Sequence, residues 1–134
     1  MKITADSNIL VRAVVADDEA QARVAQAVLE RAELVAIPIM AICEFCWVLS
    51  RAYRLPADDI ATAIRALASG DNVSVDWPAI EAGLAMLDAG GDFADGVITH
   101  GGAWLEGETF VSFDRKAISL LRAQGKKVLL AEGD

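Results

Sequence analysis

A chain of 134 residues fits one domain, expected over residues 1–134, and can bury a core without disulfide or metal staples. Its 54% hydrophobic content never gathers into the roughly 18 consecutive apolar residues of a membrane span, and Asp6 comes too early for a signal peptide, so a soluble cytoplasmic protein is expected. The net charge of −8 argues against a passive nucleic-acid binder, which normally shows a basic footprint, but not against an enzyme that meets nucleic acid through bound divalent cations; it also suits a basic protein partner.

The pattern alternates short β-like runs with longer helical ones. Lys2 to Ala5 reads as a strand and Ser7 to Val15 as a helix. Asp17-Asp18-Glu19 caps a second helix running to about Glu33. Leu34 to Ile37 is a buried strand closed by Pro38, and Ile39 to Tyr53 is an apolar helix. Ala57 to Ser69 carries Ile60, Ile64, Leu67 and Ala68 at helical spacing. Val73 to Val75 is a third strand, Trp77 to Ala89 a helix stopped by Gly90-Gly91, and Phe93 to about Leu105 another, weakened by Gly101-Gly102. Thr109 to Ser112 is a strand, Arg115 to Gln124 a helix stopped by Gly125, and Lys127 to Leu130 a last strand. This alternation implies an α/β fold: a three-layer α/β/α sandwich around a central, mainly parallel sheet of four to five strands. Chemistry in such folds collects beyond the carboxyl ends of the strands.

Cys43 and Cys46 are spaced Cys-x-x-Cys, yet they sit inside an apolar helix rather than between a strand and a helix. One histidine, His100, completes no four-ligand zinc site, so no zinc is expected, and the cysteines read as core or interface residues. The acids are more informative. Asp6 follows the first strand, Asp92 and Asp95 open a helix, and Asp114 follows the fourth strand. Each also has a plain structural explanation: Asp6 and Asp114 can cap the helices they precede, and Asp92 and Asp95 can form a capping pair. Glu44 is the exception, the only charge between Glu33 and Arg51 in a helix whose other faces are apolar, either turned to solvent or bound to something. If Asp6, Glu44, Asp95 and Asp114 share one strand-end edge, carboxylates about 4 Å apart repel by about 4 kcal/mol at an effective dielectric of 20. A divalent cation relieves that repulsion, and oxygen-only ligands favour Mg2+ or Mn2+.

These residues resemble the PIN-domain ribonucleases, and among them the VapC toxins of bacterial toxin–antitoxin pairs. The stretch from Ile3 to Arg12, with Ala5-Asp6-Ser7-Asn8 inside it, resembles the family's first motif, Glu44-Phe45-Cys46-Trp47-Val48-Leu49 its second, Gly91-Asp92-Phe93-Ala94-Asp95-Gly96-Val97-Ile98 its third and Val111-Ser112-Phe113-Asp114-Arg115 its fourth. Four motifs in this order span nearly the whole chain. The resemblance implies a metal-dependent endoribonuclease that cuts RNA, usually a homodimer, held inactive by a cognate antitoxin. Gly96 stands where the family often has alanine, and with Gly101-Gly102 it is expected to loosen the helix that carries Asp95.

On this reading Asp6, Glu44, Asp95 and Asp114 are the catalytic acids, with Asp6, Asp95 and Asp114 as metal ligands. Ser7 and Asn8 would orient the Asp6 carboxylate, and Asp92 would sit in the outer shell. Arg12 and Arg115 are candidates for the RNA phosphates; the bland alternative for both is a solvated surface. Trp47, Trp77 and Trp104 read as core or interface anchors. The rival readings are a non-catalytic PIN-like interaction module and another metal-dependent phosphoesterase. A haloacid-dehalogenase-like phosphatase is disfavoured because Asn8 stands where it needs a second aspartate.

Overall fold

Seven helices and five strands alternate along the described residues, 1–132 of this computed structural model; the last two residues of the expected 1–134 domain lie outside them. The order is β1 (Lys2–Thr4), α1 (Ser7–Val14), α2 (Glu19–Arg31), β2 (Leu34–Ala36), α3 (Ile39–Arg51), α4 (Ala57–Ala68), β3 (Val73–Ser74), α5 (Trp77–Asp88), α6 (Phe93–Trp104), β4 (Phe110–Ser112), α7 (Arg115–Ala123) and β5 (Val128–Leu130). Each expected element is present, with ends shifted inward by one or two residues. The chain divides into two compact units, Met1–Asp76 and the residues from Trp77 onward.

In the first unit β1, β2 and β3 form a parallel sheet, with Ile3 opposite Val35 and Val35 opposite Val73. Parallel neighbours need long crossovers, which the helix pairs α1–α2 and α3–α4 supply. Pro38 and Pro56 stand just before α3 and α4, where a missing N–H costs nothing. The apolar faces of the helices bury Leu10, Phe45, Leu49 and Ile64 around Val35, and Cys46 joins this core. Asn72 fastens the end of α2 to the entry of β3: its Nδ2 donates to the carbonyls of Leu29 (2.8 Å) and Ala32 (3.0 Å). Asn72→Ala is expected to cost about 1–3 kcal/mol, because both carbonyls lose a donor in a half-buried place. Asn72→Asp, which keeps the shape and loses the donor, should cost as much in a thermal melt; an unchanged midpoint for both would refute the tie.

The second unit pairs β4 with β5, also parallel, with Phe110 opposite Val128 and Ser112 opposite Leu130. The expected parallel pairing therefore holds for every strand, and the fold is α/β as expected, with the strands hydrogen-bonded as a set of three and a set of two. Ile80, Met86, Phe93 and Leu121 fill this unit's core. α5 and α6 meet backbone to backbone: a Cβ on Gly96 would run into the Ala82 carbonyl, and one on Gly83 would enter the Phe93 ring. Gly96 is thus the point of closest helix approach and not a loosening of α6, which runs unbroken through Gly101-Gly102 to Trp104. The helix stops where Glu106 turns left-handed (φ 69°) and the Gly107 N–H donates back to the Gly102 carbonyl at 2.8 Å.

Candidate active site

Asp6 and Asp114 stand at the turns from β1 and β4 into helices, Asp92 stands at the turn from α5 into α6, and all three cap the helices they precede. The Asp6 carboxylate accepts the Ile9 N–H at 3.1 Å as N-cap of α1. Asp92 caps α6 through the Ala94 N–H (3.0 Å), and Asp114 caps α7 through the Ala117 N–H (3.1 Å). Each bond occupies one carboxylate oxygen, Oδ1 in all three, so the plain capping explanation is true of all three residues and leaves the second oxygen for other work. Asp6, Asp92 and Asp114 are exposed.

In the first unit, Glu44 lies on the exposed side of α3 while Ile42, Phe45, Cys46 and Leu49 face inward. It is bound as well as solvated, for the Ser7 hydroxyl donates to its Oε2 at 2.8 Å. Ser7 was expected to orient Asp6. It holds Glu44 instead, so the first and second motifs meet through this bond. Asn8 is exposed and makes no side-chain hydrogen bond among the described residues. Arg12, a phosphate candidate, is ion-paired with Asp17 at 3.3 Å. The Tyr53 hydroxyl donates to the same carboxylate at 3.0 Å, which pushes the tyrosine pKa up. That arginine has a structural partner already.

In the second unit Asp95 stands in the first turn of α6, half-buried beside the buried Phe93 and Gly96. Burial, then the negative charges of Asp92 and Asp114, push its pKa above the ordinary aspartate value. Arg115, next in sequence to Asp114, does not relieve them; it pairs with Glu132 at 3.5 Å, both well exposed. The position of Asp114 depends on a residue not singled out by its chemistry: the Ser112 hydroxyl accepts the Asp114 N–H at 3.0 Å and shapes the turn from β4 into α7. The only signal for it was a serine two residues before a capping acid.

Among the described residues no three His, Cys, Asp or Glu side chains stand together as a ready metal cage. The donor chemistry does fit a hard divalent cation, with carboxylate oxygens only and an Asp95 whose pKa is raised by burial and then by the two like charges of Asp92 and Asp114. Magnesium keeps several of its waters and takes only one or two carboxylates, so it needs no full protein cage.

The PIN domain family matches residues 3–122, a stretch that includes all four motifs and reaches into both units. No curated protein matches the chain.

Proposed function

We propose, since the chain belongs to the PIN domain family, that it is a metal-dependent endoribonuclease acting as the VapC-type toxin of a toxin–antitoxin pair. PIN domains are generally nucleases. The observation that supports the reading for this chain is the field at Asp95, a half-buried carboxyl among two further acids, with no base relieving them among the described residues. Such an arrangement opposes folding at neutral pH and is explained by the cation it attracts.

Asp6, Asp95 and Asp114 are the proposed ligands of Mg2+ or Mn2+, with Glu44 as the fourth acid and Asp92 outside them. When bound, the cation lowers the pKa of water and steadies charge on the phosphate oxygens. The chain's own part is positional. Ser7 holds the Glu44 carboxylate in one orientation, and the caps of α1 and α7 fix the rotamers of Asp6 and Asp114. RNA is the substrate, and a cognate antitoxin and a second copy of the chain are the partners. No helix among the described residues is long and apolar enough to cross a membrane, and we place the protein in the cytoplasm.

The test is cleavage of a mixed single-stranded RNA by antitoxin-free protein in Mg2+, Mn2+ or chelator. Cleavage is expected with either metal and not in chelator, and is expected to be lost in Asp6→Asn. Cleavage that persists in chelator refutes the metal mechanism. Wild-type protein that neither cuts RNA nor binds metal in calorimetry is the interaction module instead.

A further inference from the structure

The charge of this chain is unevenly distributed. Residues 66–114 carry nine Asp and Glu and no Lys or Arg. Residues 115–127 then carry five of the chain's 12 Lys and Arg and no acid. The five are Arg115, Lys116, Arg122, Lys126 and Lys127, all exposed. The inward face of α7 is Ala117, Ile118 and Leu121. Arg115 and Arg122, seven residues apart, therefore lie two turns apart on one edge, about 10 Å along the axis. Lys116 lies on the outward face, and the turn to β5 brings in Lys126 and Lys127. Among the described residues only Arg115 of the five has an acidic partner, Glu132, in an exposed pair worth little.

Two further features lie at the ends of this stripe. Phe113 is 82% exposed and stands between Ser112 and Asp114, beside one of the proposed metal ligands. Lys126 and Lys127 line a cavity of about 370 Å³, whose other walls include His100, Phe110 and one acid, Glu108. A basic track with an exposed aromatic is the combination that holds single strands: cations follow the phosphates and a ring stacks a base. At physiological salt, charges more than about 8 Å away are largely screened, so the stripe acts locally despite the net charge of −8.

We propose that residues 113–127 form the single-stranded RNA track of this protein. Phe113 stacks a base next to Asp114, and Lys116, Arg122, Lys126 and Lys127 follow the phosphates toward the cavity. The ligand class rests on the nuclease reading; the location of the track does not. An acidic protein partner would also suit the lysines, but it gives no reason for a solvent-exposed ring beside a metal-ligand acid.

The test measures binding of a labelled single-stranded RNA of about 12 nucleotides, a length within the usual site range, by anisotropy. The full chain is used in chelator, so that nothing is cut, over a series of salt concentrations. Lys126→Ala with Lys127→Ala, and Lys116→Ala with Arg122→Ala, are expected to weaken binding and to flatten the slope of log Kd against log salt by about 0.7 per lost contact. Arg23→Ala with Arg31→Ala removes the same charge elsewhere and should leave the slope unchanged. Phe113→Ala should weaken binding about tenfold with the slope intact. Wild type that binds no RNA, or track and control pairs that behave alike, overturns the proposal. Track variants that bind RNA normally but lose an acidic protein partner assign the stripe to that partner. Wild type that cuts RNA while the track variants bind normally defeats the track and spares the nuclease. Wild type that binds along the track but cuts nothing with either metal does the reverse.

Discussion

Gly96→Ala is expected to lower the melting temperature by about 10 °C or more. Overpacking a core usually costs about 1–3 kcal/mol because neighbours move aside. Here the obstacle is the Ala82 carbonyl, with the carbonyl carbon 2.8 Å and the Gly83 Cα 3.0 Å from the new methyl. Backbone inside a helix cannot rotate away, so α5 and α6 must separate and the buried Phe93 ring between them loses its packing. About 3 kcal/mol is a large part of the 5–15 kcal/mol that holds a domain folded, and each kcal/mol moves the midpoint of a domain this size by about 3–5 °C. Gly101→Ala is the matched control. Nothing lies within 4 Å of a Cβ there, so alanine should stabilise α6 by about 0.5–1 kcal/mol. A thermal melt in which Gly96→Ala stays within 2 °C of wild type would overturn the account of the helix contact.

Asp95→Asn should abolish cleavage, by more than about a hundredfold, and stabilise the protein at neutral pH. Both effects follow from the same carboxyl. Burial, then Asp92 and Asp114, raise its pKa in the folded chain above the ordinary aspartate value. A raised acid pKa means that the folded state binds more protons than the unfolded state across the window between the two values. Stability therefore falls as pH rises through that window, and the full penalty remains above it. Below the unfolded value of about 3.9 both forms are neutral and the penalty is gone. The melting difference between Asp95→Asn and wild type should thus be small at low pH and widen toward pH 7. Magnesium should narrow it by binding the folded wild type. A difference that is flat from acid to neutral pH would show that Asp95 carries no such electrostatic load.

What the sequence made legible was what neighbours in the chain decide. The caps at Asp6, Asp92 and Asp114 and the prolines before α3 and α4 follow local rules, and the structure keeps them. What it hid was settled by residues far along the chain. Ser7 finds Glu44 across 37 positions, and no spacing rule distinguishes that partner from adjacent Asp6. Gly96 read as a weak helix position because its neighbour Ala82 belongs to another helix. Arg12 and Arg115 were phosphate candidates by their chemistry, and no spacing rule pointed to their ion pairs with Asp17 and Glu132. The parallel strands were visible as a pattern, but their hydrogen bonding as three and two was not.

The capping aspartates also constrain how this chain can age in evolution. A lineage released from selection for chemistry would not shed its acids evenly. At positions 6, 92 and 114 the side chain caps a helix, and asparagine, serine, threonine or glycine replace it at little loss. At 44 and 95 no helix end depends on the residue, and at 95 the charge opposes folding. Inactive descendants should therefore have lost positions 44 and 95 to almost anything, while the other three decay conservatively, leaving a pattern of neutral caps as the record of a former acidic site.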